Sequence, residues 1–499
     1  MYRKKAFVAL TMAVFLLLSA GFAACAATNK THINLTIPSE MTSLDPYYTT
    51  AIADLQLLAQ MYESMFFMED DTSLSPRLAE SYTLADDGMT YTFKLRDAKF
   101  HNGEKLTADD VVFSFERAKK APAMANRMMP VDTVRAIDDK TVEIKTKEIM
   151  TAALNYIVGI DILNRKAVEA AGDKFGTTPV DCGTGPYKVV KYDPSSRVEF
   201  VAFDDYYRGA PSIKTITYRI MTDTSSALIA FESGELDMVQ IPLSNWGGIV
   251  DSKKYTTKLG KENHISYMAI NIDRKPFDNK KLRQALAYAM DKEAVVIASY
   301  EGLAEIADFM MNPEYLVDAP NDGIKYTYDP EKAKALLAEA GYPDGVDLGE
   351  MLIIGSSYWP KIAQVLQQNY ADIGVTCTIQ PMDTSAVIQN MRKGTYGFGL
   401  MGLTCDRDYS FFARSAHSRS VEIAAVKYRD KKIDELFDRG AVELDHTKRQ
   451  AIYRELNDYL SDICGMIPIL FRTKPFAWSK DLNADMGLGF YYVFDFNWK

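Results

Sequence analysis

The sequence predicts an α/β protein of two or three domains. Its 499 residues, 47 % of them hydrophobic, are typical of a globular chain that is too long for a single hydrophobic core. Residues 351–382 have the pattern of a strand, a helix and a second strand, and residues 264–300 that of a strand followed by two amphipathic helices. Length and pattern together favour helices packed on parallel sheets.

The pattern in residues 351–382 begins with the apolar run MLIIG and ends with VTCTIQPM, and a helix is expected between them from Ile362 to Ile373. A strand, a helix and a strand in this order predict a parallel pair joined by a right-handed crossover. A further helix is expected after Asp329-Pro330, and two more over Lys431–Gly440 and Thr447–Asp462.

Residues 271–300, NIDRKPFDNKKLRQALAYAMDKEAVVIASY, follow the alternating strand HISYMAINI, which Pro276 ends. Apolar residues at spacings of three, four, seven and eight then predict a helix. Asp278 or Asn279 would cap this helix, and Asp291 would cap the next one. The chain therefore leaves a sheet here and enters a new helical unit.

The N-terminal half has shorter elements. A strand is expected over Ile33–Ile37, followed by a turn at Leu44-Asp45-Pro46 and a helix. Thr107, with Asp110 three residues on, predicts a capped helix. Residues 183–187, GTGPY, predict a turn whose two glycines supply unusual backbone angles; no GKS/T follows, so a phosphate-binding loop is excluded.

Four motifs in order give a resemblance to a known family. They are the opening LDP at 44–46, the segment FHNGEKLTADDVV at 100–112, GTGPY at 183–187 and RQALAYAMD at 283–291. They resemble the family 5 extracytoplasmic solute-binding proteins, which serve the dipeptide, oligopeptide and nickel importers of the ABC type. The resemblance covers essentially the whole mature chain.

The resemblance implies an α/β, bilobal, periplasmic-binding-protein-like fold of the two-hinge, cluster C type, with an extra small α+β domain. Its lobes would be joined by two strands that cross near Asn271–Lys275 and near Met466–Leu470. The expected domains are a signal peptide (1–26), lobe I (27–61, 182–275 and 468–499), the small domain (62–181) and lobe II (276–467).

The first 30 residues predict an export signal, because three basic residues precede an uncharged apolar run that ends in small residues. Cys25 follows that run and is a candidate lipid-attachment site, while cleavage after Ala26 is the alternative. The net charge of −10 disfavours nucleic acid as a partner. No CxxC or Cys/His spacing suggests zinc, and the cysteines at 182, 377, 405 and 464 could be free or form one or two disulfides.

The candidate ligand-binding residues follow from the resemblance. Asp406 stands where peptide-binding relatives supply a carboxylate to the ligand's ammonium group, and Asp408 could take its place. Arg407, Arg414 and Arg419 are candidate partners for an anion. A second group, at the start of a helix, contains Tyr358, Trp359 as a stacking wall, and Lys361 for a ligand carboxylate. In the first lobe the candidates are Tyr47, Tyr48, Asn245 and Trp246.

The expected function is capture of a di- or oligopeptide and its delivery to the permease subunits of an ABC importer, by a monomer without cofactor or resident metal. A receptor for nickel, a metal chelate or an oligosaccharide is the alternative, and His417 beside the candidate loop favours nickel. A secreted hydrolase is disfavoured, because no GxSxG, HExxH or recognisable Cys/His pair occurs and the chain has five histidines.

Overall fold

The structure is a computed structural model that describes residues 30–70, 73–314, 316, 318, 320, 322–405, 408–420, 426, 428–487 and 491–499. Its strands are β1 (His32–Ile37), β2 (Phe66–Met68), β3 (Leu74–Pro76), β4 (Ala79–Leu84), β5 (Thr90–Leu95), β6 (Val131–Asp138), β7 (Thr141–Thr146), β8 (Tyr187–Asp193), β9 (Arg197–Ala202), β10 (Thr215–Ile220), β11 (Met238–Gln240), β12 (Thr256–Ile270), β13 (Glu305–Ile306), β14 (Val346–Ile354), β15 (Val375–Met382), β16 (Phe398–Thr404), β17 (Met466–Trp478), β18 (Leu482–Asn483) and β19 (Asn497–Trp498). Its helices are α1 (Ile52–Leu58), α2 (Ala108–Ala118), α3 (Ala125–Met128), α4 (Ala153–Ile157), α5 (Arg165–Ala171), α6 (Thr224–Glu232), α7 (Trp246–Ser252), α8 (Lys280–Tyr288), α9 (Lys292–Tyr300), α10 (Pro330–Glu339), α11 (Trp359–Ala371), α12 (Thr384–Lys393), α13 (Ala413–Ala416), α14 (Lys431–Val442) and α15 (His446–Ile463).

The first half of the molecule, residues 30–261 with 473–499, is built on two four-stranded sheets. One has the order β1-β10-β9-β8, with β1 and β10 parallel, and the other is the antiparallel sheet β4-β5-β7-β6. A single hydrophobic cluster holds Ile33 of the first sheet, Phe93 of the second and Phe115 of α2. The two sheets therefore share one core.

The second half, residues 265–471, has helices on both faces of one sheet. Its strands β14, β15 and β16 are parallel, and α11 joins β14 to β15, so the predicted strand-helix-strand unit is confirmed. Met268 and Leu400 face a core formed with α8 to α11, while Tyr267 and Met401 face a core formed with α14 and α15. Burial on both faces explains the long apolar runs of these strands.

Two long antiparallel strands, β12 and β17, run from one half into the other. Residues 256–261 of β12 pair with 473–478, and residues 265–269 pair with 466–471 after an irregularity in the ladder. By Ile265 the chain is already paired with β16 of the second half. The pairing thus favours a crossing between Lys261 and Ile265, earlier than Asn271–Lys275, because β12 continues to Ile270 within the second half. The domain boundaries stay a prediction.

The predicted helix caps are confirmed. The Asn279 side chain accepts from the Lys281 and Leu282 N–H groups, and that of Asp291 accepts from the Ala294 N–H. Thr107 and Asp110 form the expected capping box of α2. These signals are local in sequence, so they can be recognised without knowledge of the tertiary structure.

The two glycines of GTGPY have a different role from the one expected. Neither Gly183 nor Gly185 has a positive φ. Instead, a Cβ at Gly183 would lie 2.2 Å from the Met61 carbonyl oxygen, and one at Gly185 would lie 2.6 Å from the Met61 carbonyl carbon. The turn needs glycine because another stretch of backbone approaches it closely, not because of an unusual backbone angle.

Of the alternatives left open for the cysteines, free buried thiols hold for Cys182, Cys377 and Cys464. Cys405 is also buried. Burial raises the pKa of Cys182 and of Cys464 to about 12. Because the thiolate is the reactive form, these thiols are chemically inert at neutral pH. Cys25 lies outside the described residues.

Candidate functional site

The carboxyl ends of parallel strands converge on the crossing strands. In the first half β1 ends at Ile37 and β10 at Ile220, and residues 37–39 and 221 line a cavity together with Lys474 of β17. In the second half Tyr358, which follows β14, receives a 3.5 Å hydrogen bond from Arg472, also of β17. Ligands of α/β sheets bind beyond the carboxyl ends of parallel strands, so this region is the candidate site.

Three charged side chains form the centre of this region, and we call them the crossing cluster: Glu262, Arg472 and Lys474. The Glu262 carboxylate lies 3.2 Å from Arg472 Nε and 2.5 Å from Lys474 Nζ. Glu262 is 9 % exposed, and about a quarter of each cationic side chain is exposed. Two cations against one carboxylate leave one unit of positive charge in a confined place, which favours an anionic ligand group.

His264 lies beside the crossing cluster and is neutral. Burial first, and then the charges of Arg472 and Lys474, lower the pKa of His264 to about 3. Its Nδ1 is 2.9 Å from the Thr404 hydroxyl, and a Cβ at Gly402 would lie 2.4 Å from its Nε2. The ring therefore packs on the β16 backbone at a place where only glycine fits.

Tyr358, of the second candidate group, contacts the crossing cluster. Its ring lies 5.0 Å from that of Tyr300 and 4.7 Å from that of Trp359. Trp359 is 5 % exposed and packs in the core of the second half, close to Gly402, which favours a supporting role over a stacking surface. Lys361 is exposed and lies 3.9 Å from Glu301.

The first-half candidates lie in different surroundings. Tyr47 is 1 % exposed, its hydroxyl donates to the Asp161 carbonyl, and Arg117 covers its ring. Trp246 is partly buried at the start of α7, against a small apolar cluster with Phe231. Tyr48 and Asn245 are exposed. The structure accounts for Tyr47 as a core residue, and ligand-binding roles for this group stay a prediction.

The candidate loop is described in part. Asp406 and Arg407 lie outside the described residues. Asp408 is 9 % exposed; its carboxylate accepts from the Ser410 N–H and hydroxyl and lies 3.7 Å from Arg449. It caps the short 3-10 turn over Tyr409–Phe412, so a further role toward an ammonium group stays a prediction.

The residues near this loop that are candidates for binding an anion or a metal, His417, Arg414 and Arg419, contact neighbouring side chains. Nitrogen atoms of His417 lie 3.2 Å from Asp434 and 3.3 Å from Asp438, and Arg419 also pairs with Asp438. The Arg414 guanidinium stacks on Phe411 at 4.5 Å. Among the residues that the structure describes, no group of three or more His, Cys, Asp or Glu side chains could hold a metal ion.

Comparison with known proteins identifies the chain. The sequence profile of the bacterial extracellular solute-binding proteins, family 5 (middle), matches residues 73–421. The chain belongs to this family. The glutathione-binding protein GsiB of Shigella flexneri is 28 % identical over 497 residues, covering 96 % of this chain and 95 % of that protein. The resemblance inferred from the four motifs is thereby confirmed.

Solved structures show the same fold. The ABC transporter substrate-binding protein CtaP of Listeria monocytogenes superposes with a TM-score of 0.86 at 27 % identity, over 94 % of this chain and 100 % of that one. NikA of Brucella suis, solved with Fe(III)-EDTA, superposes with a TM-score of 0.84 at 22 % identity, over 94 % and 100 %. The predicted fold class is confirmed. Within the described ranges, no helix of this family 5 protein is both long and apolar enough to cross a membrane.

Sequence reasoning did not find the crossing cluster of this family 5 protein. Glu262 and Arg472 are distant in the chain, and only the pairing of β12 with β17 brings them together. One signal was available: the apolar run MIPILF continues as RTK, which places two cations on the same face of a buried strand. Charged side chains in such a strand require partners of opposite charge, but the sequence does not reveal that the partner is Glu262.

Proposed function

We propose that this protein binds a short peptide with a free carboxylate between its two halves and delivers it to the permease subunits of an ABC importer. The crossing cluster carries this proposal, because it concentrates positive charge where the two halves join. The relative GsiB, which aligns over almost the whole chain, is glutathione-binding, and glutathione is itself a short peptide.

The chemistry of the cluster suits a carboxylate. Arg472 presents a planar fork of donors that can bind both carboxylate oxygens, and Lys474 adds a point charge two residues along the same strand. Glu262 holds both cations in place before the ligand arrives. Movement of one half against the other around a bound peptide would exclude water and strengthen these ion pairs.

The other end of the peptide needs an acceptor for its ammonium group. Asp406 is the proposed residue and Asp408 its alternative, as the sequence suggests. Because the Asp408 carboxylate already accepts two hydrogen bonds from Ser410, we favour Asp406. We also propose that the protein acts as a monomer.

We also propose that the protein acts outside the cytoplasm, exported by its N-terminal segment. Cys25 would carry a lipid anchor, with cleavage after Ala26 as the alternative. Mass spectrometry of the protein purified from membranes of its host separates the two. An acylated N-terminal Cys25 supports the anchor, and an unmodified N-terminus at Ala27 overturns it.

The test of the solute class is a thermal-shift screen of the chain from Thr28 onward against di- to pentapeptides, nickel with histidine, and oligosaccharides. A ligand that binds the folded state raises the melting temperature. A shift with peptides supports the proposal and selects the preferred length. A shift with nickel and histidine alone, or with sugars alone, overturns the peptide and leaves the family unchanged.

A further inference from the structure

A cavity of about 490 Å³ opens on the first half directly beside the crossing cluster. It lies between the end of β1, helices α1 and α6, and strands β11 and β17. Its volume falls within the range of roughly 300 to 1,000 Å³ that is usual for small-molecule sites. Most of its wall is apolar, through Ile37, Ile52, Met221, Met238, Val239 and Phe476.

One wall residue is informative about what the cavity holds. Ile52, in the first turn of α1, is 51 % exposed although it lines a concave apolar surface. If an apolar group of a ligand covers such a side chain, apolar surface is removed from water, and this favours binding. Met221, on the same wall, adds a flexible side chain that can adjust to different partners.

The edge of the cavity is cationic. Lys474 lines it, and its Nζ lies 2.5 Å from Glu262, which in turn contacts Arg472. An apolar cavity and an excess positive charge are therefore adjacent. In a peptide, the C-terminal carboxylate and the C-terminal side chain are attached to the same Cα atom, so both can be satisfied together.

We infer that this cavity is a subsite for an apolar side chain at the C-terminus of the bound peptide, such as that of Leu, Met or Phe. The inference rests on the proposed peptide function and extends it to a preference among peptides. The carboxylate binds the crossing cluster, and the side chain enters the cavity against Ile52. A polar side chain would lose much of its hydration against this mostly apolar wall, and side chains such as Gln56 and Gln240 would replace only part of it.

The test is calorimetric titration of the chain from Thr28 with matched peptides of two to five residues that end in Leu or in Ser, and with the C-terminal amide of each. We expect the Leu peptide to bind at least about ten-fold more tightly than the Ser peptide, as differences of this kind do in apolar pockets. Amidation should lower the affinity of both peptides, because it removes the negative charge that the crossing cluster would bind.

Two variants make the test specific. Ile52→Asn should reduce the ratio of the Leu to the Ser affinity, and Ile229→Asn should leave it unchanged. Ile229 is a fair control because it is also a helical isoleucine, 67 % exposed and on α6 but outside the cavity wall. A ratio near one in the unmodified protein, or an undiminished ratio in Ile52→Asn, overturns the subsite. Failure of every peptide to bind overturns the peptide receptor itself, and the subsite with it.

Discussion

The two halves of the molecule meet at the crossing strands and also at Thr151, and the two contacts are built differently. At the crossing, the continuous strands β12 and β17 pair on both sides of a buried charge cluster. At the second contact, the N–H and hydroxyl of Thr151 donate to the Ala441 carbonyl at 2.9 and 3.0 Å. The first is covalently continuous, whereas the second consists of hydrogen bonds that can break.

The chemistry of the second contact explains why it forms. Ala441 lies in the last turn of α14, where backbone carbonyls have no partner within the helix. Thr151, from the first half, supplies the missing donors. The crossing is therefore fixed by the chain itself, whereas the Thr151 contact would be lost if the halves moved apart.

The largest loss of stability from a change at the crossing is expected for Glu262→Gln. This variant leaves Arg472 and Lys474 close together without the carboxylate between them. Loss of one partner from a mostly buried ionic cluster costs about 3 kcal/mol, and we expect this decrease in the free energy of unfolding, measured by urea denaturation. Glu301→Gln, at an exposed carboxylate 3.9 Å from Lys361, should change it by less than about 0.5 kcal/mol. Equal effects of both variants would contradict a structural role for Glu262.

A smaller loss of stability is expected when acid protonates His264 beside the crossing cluster. The folded pKa of His264, about 3, is below its ordinary value of 6.5, so the unfolded state binds more protons between these two values. Stability is therefore lost as the pH falls from about 6.5 towards 3. Between pH 7 and pH 4.5, the unmodified protein should lose about 2.5 kcal/mol more than His264→Gln does.

The control for this prediction is His32→Gln, at a partly exposed histidine of β1. It should retain the acid sensitivity of the unmodified protein in the same denaturation series. Identical acid profiles for the unmodified protein and for His264→Gln would show that His264 is not held neutral by its surroundings.

Ligand binding at the crossing is tested by Arg472→Gln. If the carboxylate of the peptide pairs with Arg472, its affinity should fall by about 2 kcal/mol, roughly thirty-fold, in calorimetric titration. The affinity of the C-terminal amide should change much less, because it presents no carboxylate. Arg165→Gln, 57 % exposed at its side chain and paired with Glu169 within α5, is the matched control. A uniform loss for acid and amide would indicate general damage to the site.

What the sequence predicts well in this protein is what depends on neighbours along the chain. Asn279, Asp291 and Thr107 act within a few residues of themselves, and the strand-helix-strand unit needs only its own periodicity. The unusual backbone angle predicted for Gly183 is wrong, because its role depends on Met61, which approaches from a distant segment.

The site was harder to predict for the same reason. The burial of Tyr47 and Trp359 is decided by tertiary packing, which a sequence pattern does not reveal. Glu262 meets Arg472 through strand pairing alone. Tyr358, which the family resemblance suggests, does lie beside Arg472 at the start of a helix, and its role toward a ligand stays a prediction.

The smallest effect on stability, but the one that most directly separates the two contacts, is expected from Thr151→Val. The variant keeps the shape of the side chain and the backbone donor but removes the hydroxyl, so the free energy of unfolding should fall by about 1 kcal/mol or less. The same small energy acts on the arrangement of the halves, where it can shift populations several-fold. Spin labels attached at Asp173→Cys and Glu435→Cys, both at exposed positions, would report the separation of the halves. The distance between the labels should therefore lengthen in Thr151→Val.

Thr177→Val is the control for that measurement, because its hydroxyl donates within its own turn, to the Lys174 carbonyl at 3.0 Å. It should leave the distance distribution unchanged. If Thr151→Val also leaves it unchanged, the hydroxyl does not hold the halves together, and other contacts between them set their arrangement. If the distances lengthen only without peptide, Thr151 stabilises the arrangement of the empty protein, and bound peptide holds the halves together without it.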